Sequence, residues 1–375
     1  MNDESAQEIP PINQDPIRNA EGAQGAKARI TKYLVERVPE FATLSEIRDK
    51  GWKNAEGDRF FQNQRRQADE GSHTTQVILN NMMGRIAKEM QGATGAFKIQ
   101  PTRSNTGHEP QKRILDCCMA PGTYLQAALE HNPGAHALAF SLPPEKGGHP
   151  SLLVDNNEPE VTIKLLDVTL LAADMGVAPE QIPSDHPDAA AFLPRQVEDG
   201  RHFDLVICDG QVLRTHAPHR AAYRERREAR RLILTQLILG LDHLRPGGTM
   251  IVLLHKLEAW DTLCLLRTFH GFSTIQTFKP WAGHRKRSSF YMVATDIRAD
   301  GPEAVSAVKA WKEDWKLATF MDEEEYQSYT ERAHQDADKN VDALLTEFGR
   351  EIIRLGRRVW RIQADALARA PFNRK

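Results

Sequence analysis

Long apolar runs are missing from this chain. None approaches the roughly 20 residues that a membrane span needs, so no membrane association is expected. Cysteine is scarce. Cys117, Cys118, Cys208 and Cys264 include no CxxC pair, which removes the usual zinc and dithiol patterns and fits buried thiols in a reducing compartment. His216 and His219 stand three apart with no third ligand nearby, so no metal site is expected. Charge of one sign is not in excess either. A net −2 excludes general electrostatic binding to nucleic acid and confines any such surface to a local patch. The opening MNDESAQEIPPINQD lacks a basic stretch followed by an apolar one and is too acidic for a transit peptide. A soluble protein of the cytoplasm or nucleus is the expectation. No internal repeat is present.

What is there is ordinary globular usage, 40% apolar and 27% charged residues over 375 positions. Residues 1–25, rich in Pro, Gln, Asn and Gly, are expected to be a disordered tail. Residues 26–111 form a helical extension and linker. A helix over 26–50 is split by Pro39, a second stretch over 58–90 is broken near Gly71, and a polar linker follows from Gly92. Residues 112–298 alternate short strands with helices, which implies a mostly parallel sheet with right-handed crossovers and a terminal antiparallel hairpin. The expected strands are 113–118, 135–140, 161–166, 203–208 and 249–254, and then the hairpin 272–278 and 288–295. A loop spans 178–200, and long helices are expected over 221–243 and 258–269. Residues 299–375 read as two or three helices burying one face.

Four strings carry the chemistry: RILDCCMAPG from Arg113, FDLVICDG from Phe203, LRPGGTMIVLLHK from Leu244 and KPWAGHRKRSSFYMVAT from Lys279. Three are apolar runs that stop at a turn, and ligands of an open α/β sheet sit beyond such carboxyl ends. Pro121 and Gly122 allow a tight turn close to a ligand. The helix that Gly122 opens favours a carboxylate at its N-terminus, and Asp116 can take an amino group. The second strand ends at Ser141, where an acid for a ribose is absent. Asp167 closes the third strand, either facing an adenine or capping the next segment.

In this order the strings resemble the FtsJ/RrmJ-type RNA 2′-O-ribose methyltransferases, with a Rossmann-like fold dependent on S-adenosylmethionine. The likeness runs from about Arg113 to Arg298. It implies a cofactor site of Asp116, Cys118, Ala120, Pro121, Gly122, Ser141, Asp167 and Asp209, with Asp209 also catalytic. It further implies a Lys-Asp-Lys-Glu tetrad, in which a lysine of lowered pKa activates a ribose hydroxyl and the cofactor supplies the methyl group. Lys256 is the candidate for the second lysine, although the family spacing falls on Leu253. Lys88, with Lys98 behind it, is the candidate for the first. The glutamate position holds Ser289, with Glu258 as the nearest replacement, and Cys118 stands where the family has glycine. RNA, ribosomal or other, is the implied partner, and a catalytically inactive RNA- or protein-binding relative is the alternative.

RTHAPHRAAYRERREARR, from Arg214 to Arg231, carries seven arginines after the fourth strand. Arg214, Arg220 and Arg224 are candidates for phosphate contacts, with Glu225 and Glu228 able to pair some of the run on a solvated helix face. The turn with Arg285, Lys286 and Arg287 is a second candidate RNA patch.

Overall fold

The computed structural model describes residues 25–51, 54–69, 73–100, 111–153 and 160–373. The expected tail up to residue 24, the break at Gly71 and most of the polar linker lie outside the described residues, as do the side chains of Arg214 and Thr215.

Seven strands form one sheet. They are β1 (Arg113–Asp116), β2 (His136–Ser141), β3 (Val161–Leu165), β4 (Phe203–Cys208), β5 (Leu244–His255), β6 (Thr274–Phe278) and β7 (Ser289–Ile297). Their order is β3-β2-β1-β4-β5-β7-β6. The first five run parallel, while β7 is antiparallel to both β5 and β6. The central strand β4 is buried at every position, which explains why FDLVIC is apolar without alternating. The expected alternation, parallel sheet and closing hairpin are all present.

Side chains alternate across the sheet and feed two cores. Ile114, Leu205, Ile207, Ile251, Leu253, Tyr291 and Val293 face α4 (His73–Thr94) and α5 (Thr123–His131). Leu115, Val206, Cys208, Val252, Phe290 and Met292 face the opposite layer. That layer comprises α6 (Glu228–His243), α7 (Trp260–Phe272), α8 (Pro302–Phe320) and α9 (Glu323–Ala368).

The two helical extensions join this second layer together. α1 (Ala26–Arg37) ends at Val38, and α2 (Pro39–Gly51) starts on Pro39, where a missing N–H costs nothing. Phe41 of α2 meets Trp360 of α9 edge-on at 5.0 Å, and Arg29 pairs with Asp342 at 2.7 Å. Glu258, weighed as a replacement acid, is held by Arg48 at 2.6 Å and by the Trp360 indole at 3.1 Å, so it fastens this layer.

Two expectations change. The fifth strand starts at Leu244 rather than Thr249, because Phe203 pairs with Leu244 ahead of a bulge. The helix expected from Ala221 starts only at Glu228, after 3₁₀ turns at Arg214–His219 and Ala222–Arg224.

Candidate active site

Asp116 ends β1 beside Ile207, and Asp209 follows β4 directly. Alternation places both carboxyls on the α4/α5 face. There Tyr291 and Tyr124 share a buried hydrogen bond of 2.7 Å between their hydroxyls. Burial pushes the Asp116 carboxyl up to about 7, opposed by a hydrogen bond from Cys118 N at 3.1 Å. Burial and the neighbouring Asp116 charge push Asp209 up to about 8, opposed by the Tyr291 hydroxyl. In neither case does a neighbouring cation offset the shift. Asp209 Oδ1 is buried and has no hydrogen-bond partner among the described residues.

Cys118, Ala120, Pro121 and Gly122 form the turn into α5. Gly122 caps that helix at φ +110°, a conformation that glycine adopts without strain. The segment after β2 folds back over this turn. Leu152 N donates to Pro121 O at 2.9 Å, and Leu153 lies 2.8 Å from where a Cβ on Gly122 would stand. Cys118 packs against Gly210, where a Cβ would come within 2.8 Å of the Cys118 Cβ. Burial raises the Cys118 thiol, aided by Cys117, Asp116, Asp167 and Asp209, so these groups converge around one point. Ser141, buried at the end of β2, accepts Leu166 N at 2.8 Å through its carbonyl.

Asp167 does two jobs. Its Oδ1 caps the turn after β3, accepting from Thr169 N at 3.0 Å and Thr169 Oγ1 at 2.7 Å. Its Oδ2 accepts from Arg224 Nη2 at 2.7 Å. Burial pushes its carboxyl up, but the Arg224 charge and these hydrogen bonds outweigh that and hold it below the usual carboxylate range.

Arg224 is therefore not the exposed phosphate contact expected of it. Its side chain is buried, and it also meets Glu228 at 2.6 Å. Arg227 and Arg231 are buried too, and with the partly exposed Arg230 they fasten the C-terminal helices. Arg227 donates to Asp322 O at 3.0 Å and Glu323 Oε2 at 2.7 Å, Arg230 to Asp314 at 2.7 Å and Arg231 to Thr319 Oγ1 at 3.1 Å. The run is a clamp rather than a solvated face. Arg220 remains half-buried.

Both candidate lysines have exposed side chains. Lys256 is exposed one residue beyond β5, on a turn with φ +45° where Ala259 N donates to its carbonyl at 2.8 Å. Lys88 is exposed on α4, and Lys98 is exposed beyond it. Leu253 pairs with Tyr291 on the site's face and is buried. Ser289 is buried with no partner for its hydroxyl among the described residues.

The lysine that the structure buries is Lys279, missed in the sequence. Its Nζ donates to His284 O at 3.0 Å, to Ser289 O at 2.5 Å and to Arg287 O, closing the basic turn. Burial, with Arg48 and Arg287 nearby and Glu258 opposing, lowers it to about 7. Arg285 and Arg287 are exposed on that turn, and Lys286 lies 4.5 Å above the Phe60 ring. β6 and β5 run the same way, so this turn shares the sheet edge with Asp116 and Asp209. Tyr291 and Tyr124 were also missed. Alternation along FYMVAT from Leu253's partner was the available signal for Tyr291.

The FtsJ-like methyltransferase family model matches residues 93–297, more than half of the chain. The chain belongs to this family. No curated protein matches it by sequence. Among solved structures, this FtsJ-like chain is similar to a protein described as a ribosomal RNA methyltransferase from Plasmodium falciparum. That match has 16% identity and TM-score 0.34, covering 57% of this chain and 97% of the other. An rRNA methylase from Streptococcus thermophilus matches at 14% identity and TM-score 0.26, covering 50% and 87%. TrmN from Thermus thermophilus matches at 13% identity and TM-score 0.31, covering 56% and 48%.

Among the described residues of the FtsJ-like chain, no helix is long and apolar enough to cross a membrane, and no group of three or more His, Cys, Asp or Glu is placed to hold a metal ion. The family's donor, S-adenosylmethionine, carries an ammonium and a sulfonium. Two carboxyls raised by burial, one with an oxygen that has no partner among the described residues, suit such a ligand.

Proposed function

We propose that this chain transfers a methyl group from S-adenosylmethionine to the 2′-hydroxyl of an RNA ribose. The observation that carries the reading is the pair of Asp116, buried, and Asp209, half-buried, beside the Gly122 turn, two carboxyls at the carboxyl edge of the sheet that a bound cation would ionise. Asp116 would hold the ammonium of the cofactor, and the N-terminus of α5 behind Ala120, Pro121 and Gly122 would take its carboxylate. Cys118, Ser141 and Asp167 would border the nucleoside half. When bound, the cofactor supplies an activated methyl group on its sulfonium.

The protein's part is alignment and proton handling. Asp209 Oδ1 has no partner among the described residues and, once the positive charge of the bound cofactor has ionised the carboxyl, would accept the hydrogen bond, and then the proton, of the ribose hydroxyl. The Tyr291 hydroxyl, backed by Tyr124 at 2.7 Å, steadies Asp209. Exposed Arg285 and Arg287 would hold RNA phosphates at the same edge, with Lys286 beside them.

A second reading is a non-catalytic FtsJ-like module that binds RNA or protein. Leu253 and Ser289 at two tetrad positions favour it, as does the Cys118 side chain against Gly210.

Incubation of the chain with tritiated-methyl S-adenosylmethionine and total RNA tests the first reading. Label is expected in RNA with the wild type and not with Asp209→Ala. RNA binding by both proteins without label in either would favour the module.

A further inference from the structure

Directly after Asp209, the chain runs through Arg214–His219 to Arg220 and leaves one cation unsatisfied. Arg220 Nε and Nη1 are both buried, and neither finds an acceptor among the described residues. A buried donor without a partner gives up its hydration with nothing in return, and the loss is larger on a charged group. Every other arginine of this run with a described, buried side chain is met by oxygens: Arg224 by Asp167 and Glu228, Arg227 by Glu323, and Arg231 by Thr319. Arg227 leaves only its Nε unmet, whereas half-buried Arg220 has both Nε and Nη1 buried without an acceptor among the described residues.

We propose that Arg220, with His216 beside it, forms a contact site for a phosphate ester at the mouth of the site. The proposal rests on the methyl-transfer reading for its place in the reaction and deepens it by naming a contact to the acceptor. A guanidinium presents parallel N–H groups that match two phosphate oxygens, which two orphan donors on one guanidinium require. His216 lies within electrostatic reach of Arg220, His149, His219 and Asp167. Burial and then the Arg220 charge lower it to about 4, so at neutral pH its ring is uncharged. His216 Nδ1 accepts Leu213 N at 3.3 Å, which places the ring proton on Nε2 as a donor. Burial lowers His149 as well. Its segment reaches the site through the bond from Leu152 N to Pro121 O.

Asp167, the acid in reach of His216, would repel a phosphate if it were free. Arg224 neutralises it, 2.7 Å from Asp167, and Arg220 is left as the uncompensated charge. The phosphate has two sources, a phosphodiester of RNA or the phosphate of a free nucleotide.

The test is a thermal shift of the full chain in millimolar inorganic phosphate against chloride at equal ionic strength, for the wild type and Arg220→Gln. Phosphate is expected to raise the Tm of the wild type only, and the variant without phosphate should be no less stable. Equal shifts in both proteins, no shift in either, or a variant destabilised without phosphate would overturn the contact site.

Binding of a fluorescent single-stranded oligoribonucleotide and of AMP then separates the sources. A roughly tenfold loss in Arg220→Gln for the oligonucleotide alone assigns RNA. The same loss for AMP alone assigns a nucleotide, and unchanged binding of both contradicts the proposal. Calorimetry with S-adenosylmethionine is read separately. Absence of binding there would end the methyl-transfer reading while leaving an Arg220-dependent phosphate shift intact.

Discussion

Arg224 donates to Asp167 at 2.7 Å, tying the exit of β3 to the segment that follows β4. The pair is closed by Glu228 at 2.6 Å and by Thr169, all on buried side chains. Removing one partner strands charge in a desolvated site. Arg224→Met is expected to cost about 3–5 kcal/mol, read from the urea midpoint at unchanged slope. A loss below about 1 kcal/mol would mean that the network contributes little.

Asp167 adds a pH dependence of known sign. Its folded carboxyl lies below the unfolded value, so its stabilisation is present above about pH 4 and is lost as pH falls through the folded value. Arg224→Met should remove that acid-side dependence, and an identical acid limb in wild type and variant would contradict the pairing.

Asp209 gives the opposite slope. Its carboxyl is raised to about 8, so the folded state keeps a proton that the unfolded chain has released. Stability from this group therefore falls as pH rises from about 4 to about 8. Asp209→Asn should raise the Tm above pH 8 and leave it nearly unchanged near pH 4. Equal effects at both ends would show that Asp209 is not strained by ionisation.

Cys118 and Gly210 occupy one small space. Gly210→Ala would press a methyl group onto the Cys118 side chain and Gln236 Oε1, at an expected cost of about 1–3 kcal/mol. In a Cys118→Gly background that cost should fall by about 1 kcal/mol or more, a coupling that a double-mutant cycle measures directly. Strict additivity would separate the two residues.

The sheet was legible because buried parallel strands such as FDLVIC stop abruptly at Asp209–Gly210, and RILD stops at the Pro121–Gly122 turn. Strand ends pointed to Asp116 and Asp167, and the family resemblance added Cys118 and Asp209. The arginine run was not legible, because its partners Asp314, Thr319 and Glu323 lie 84 to 96 residues away and no local periodicity encodes them. The same long-range packing pulled the segment before Glu228 out of a helix. Lys279 was hidden because a lysine before proline reads as exposed, whereas backbone carbonyls of a turn that closes only in the fold surround it.

The most direct test is calorimetric titration of S-adenosylmethionine into the wild type and Asp116→Ala, in two buffers of different ionisation enthalpy. A cationic ligand on two carboxyls raised to about 7 and about 8 should bind with release of protons at neutral pH and tighten as pH rises. Asp116→Ala should weaken it roughly tenfold or more. No heat at millimolar ligand, or equal affinity in the variant, would contradict the assignment of this carboxyl pair to the methyl donor.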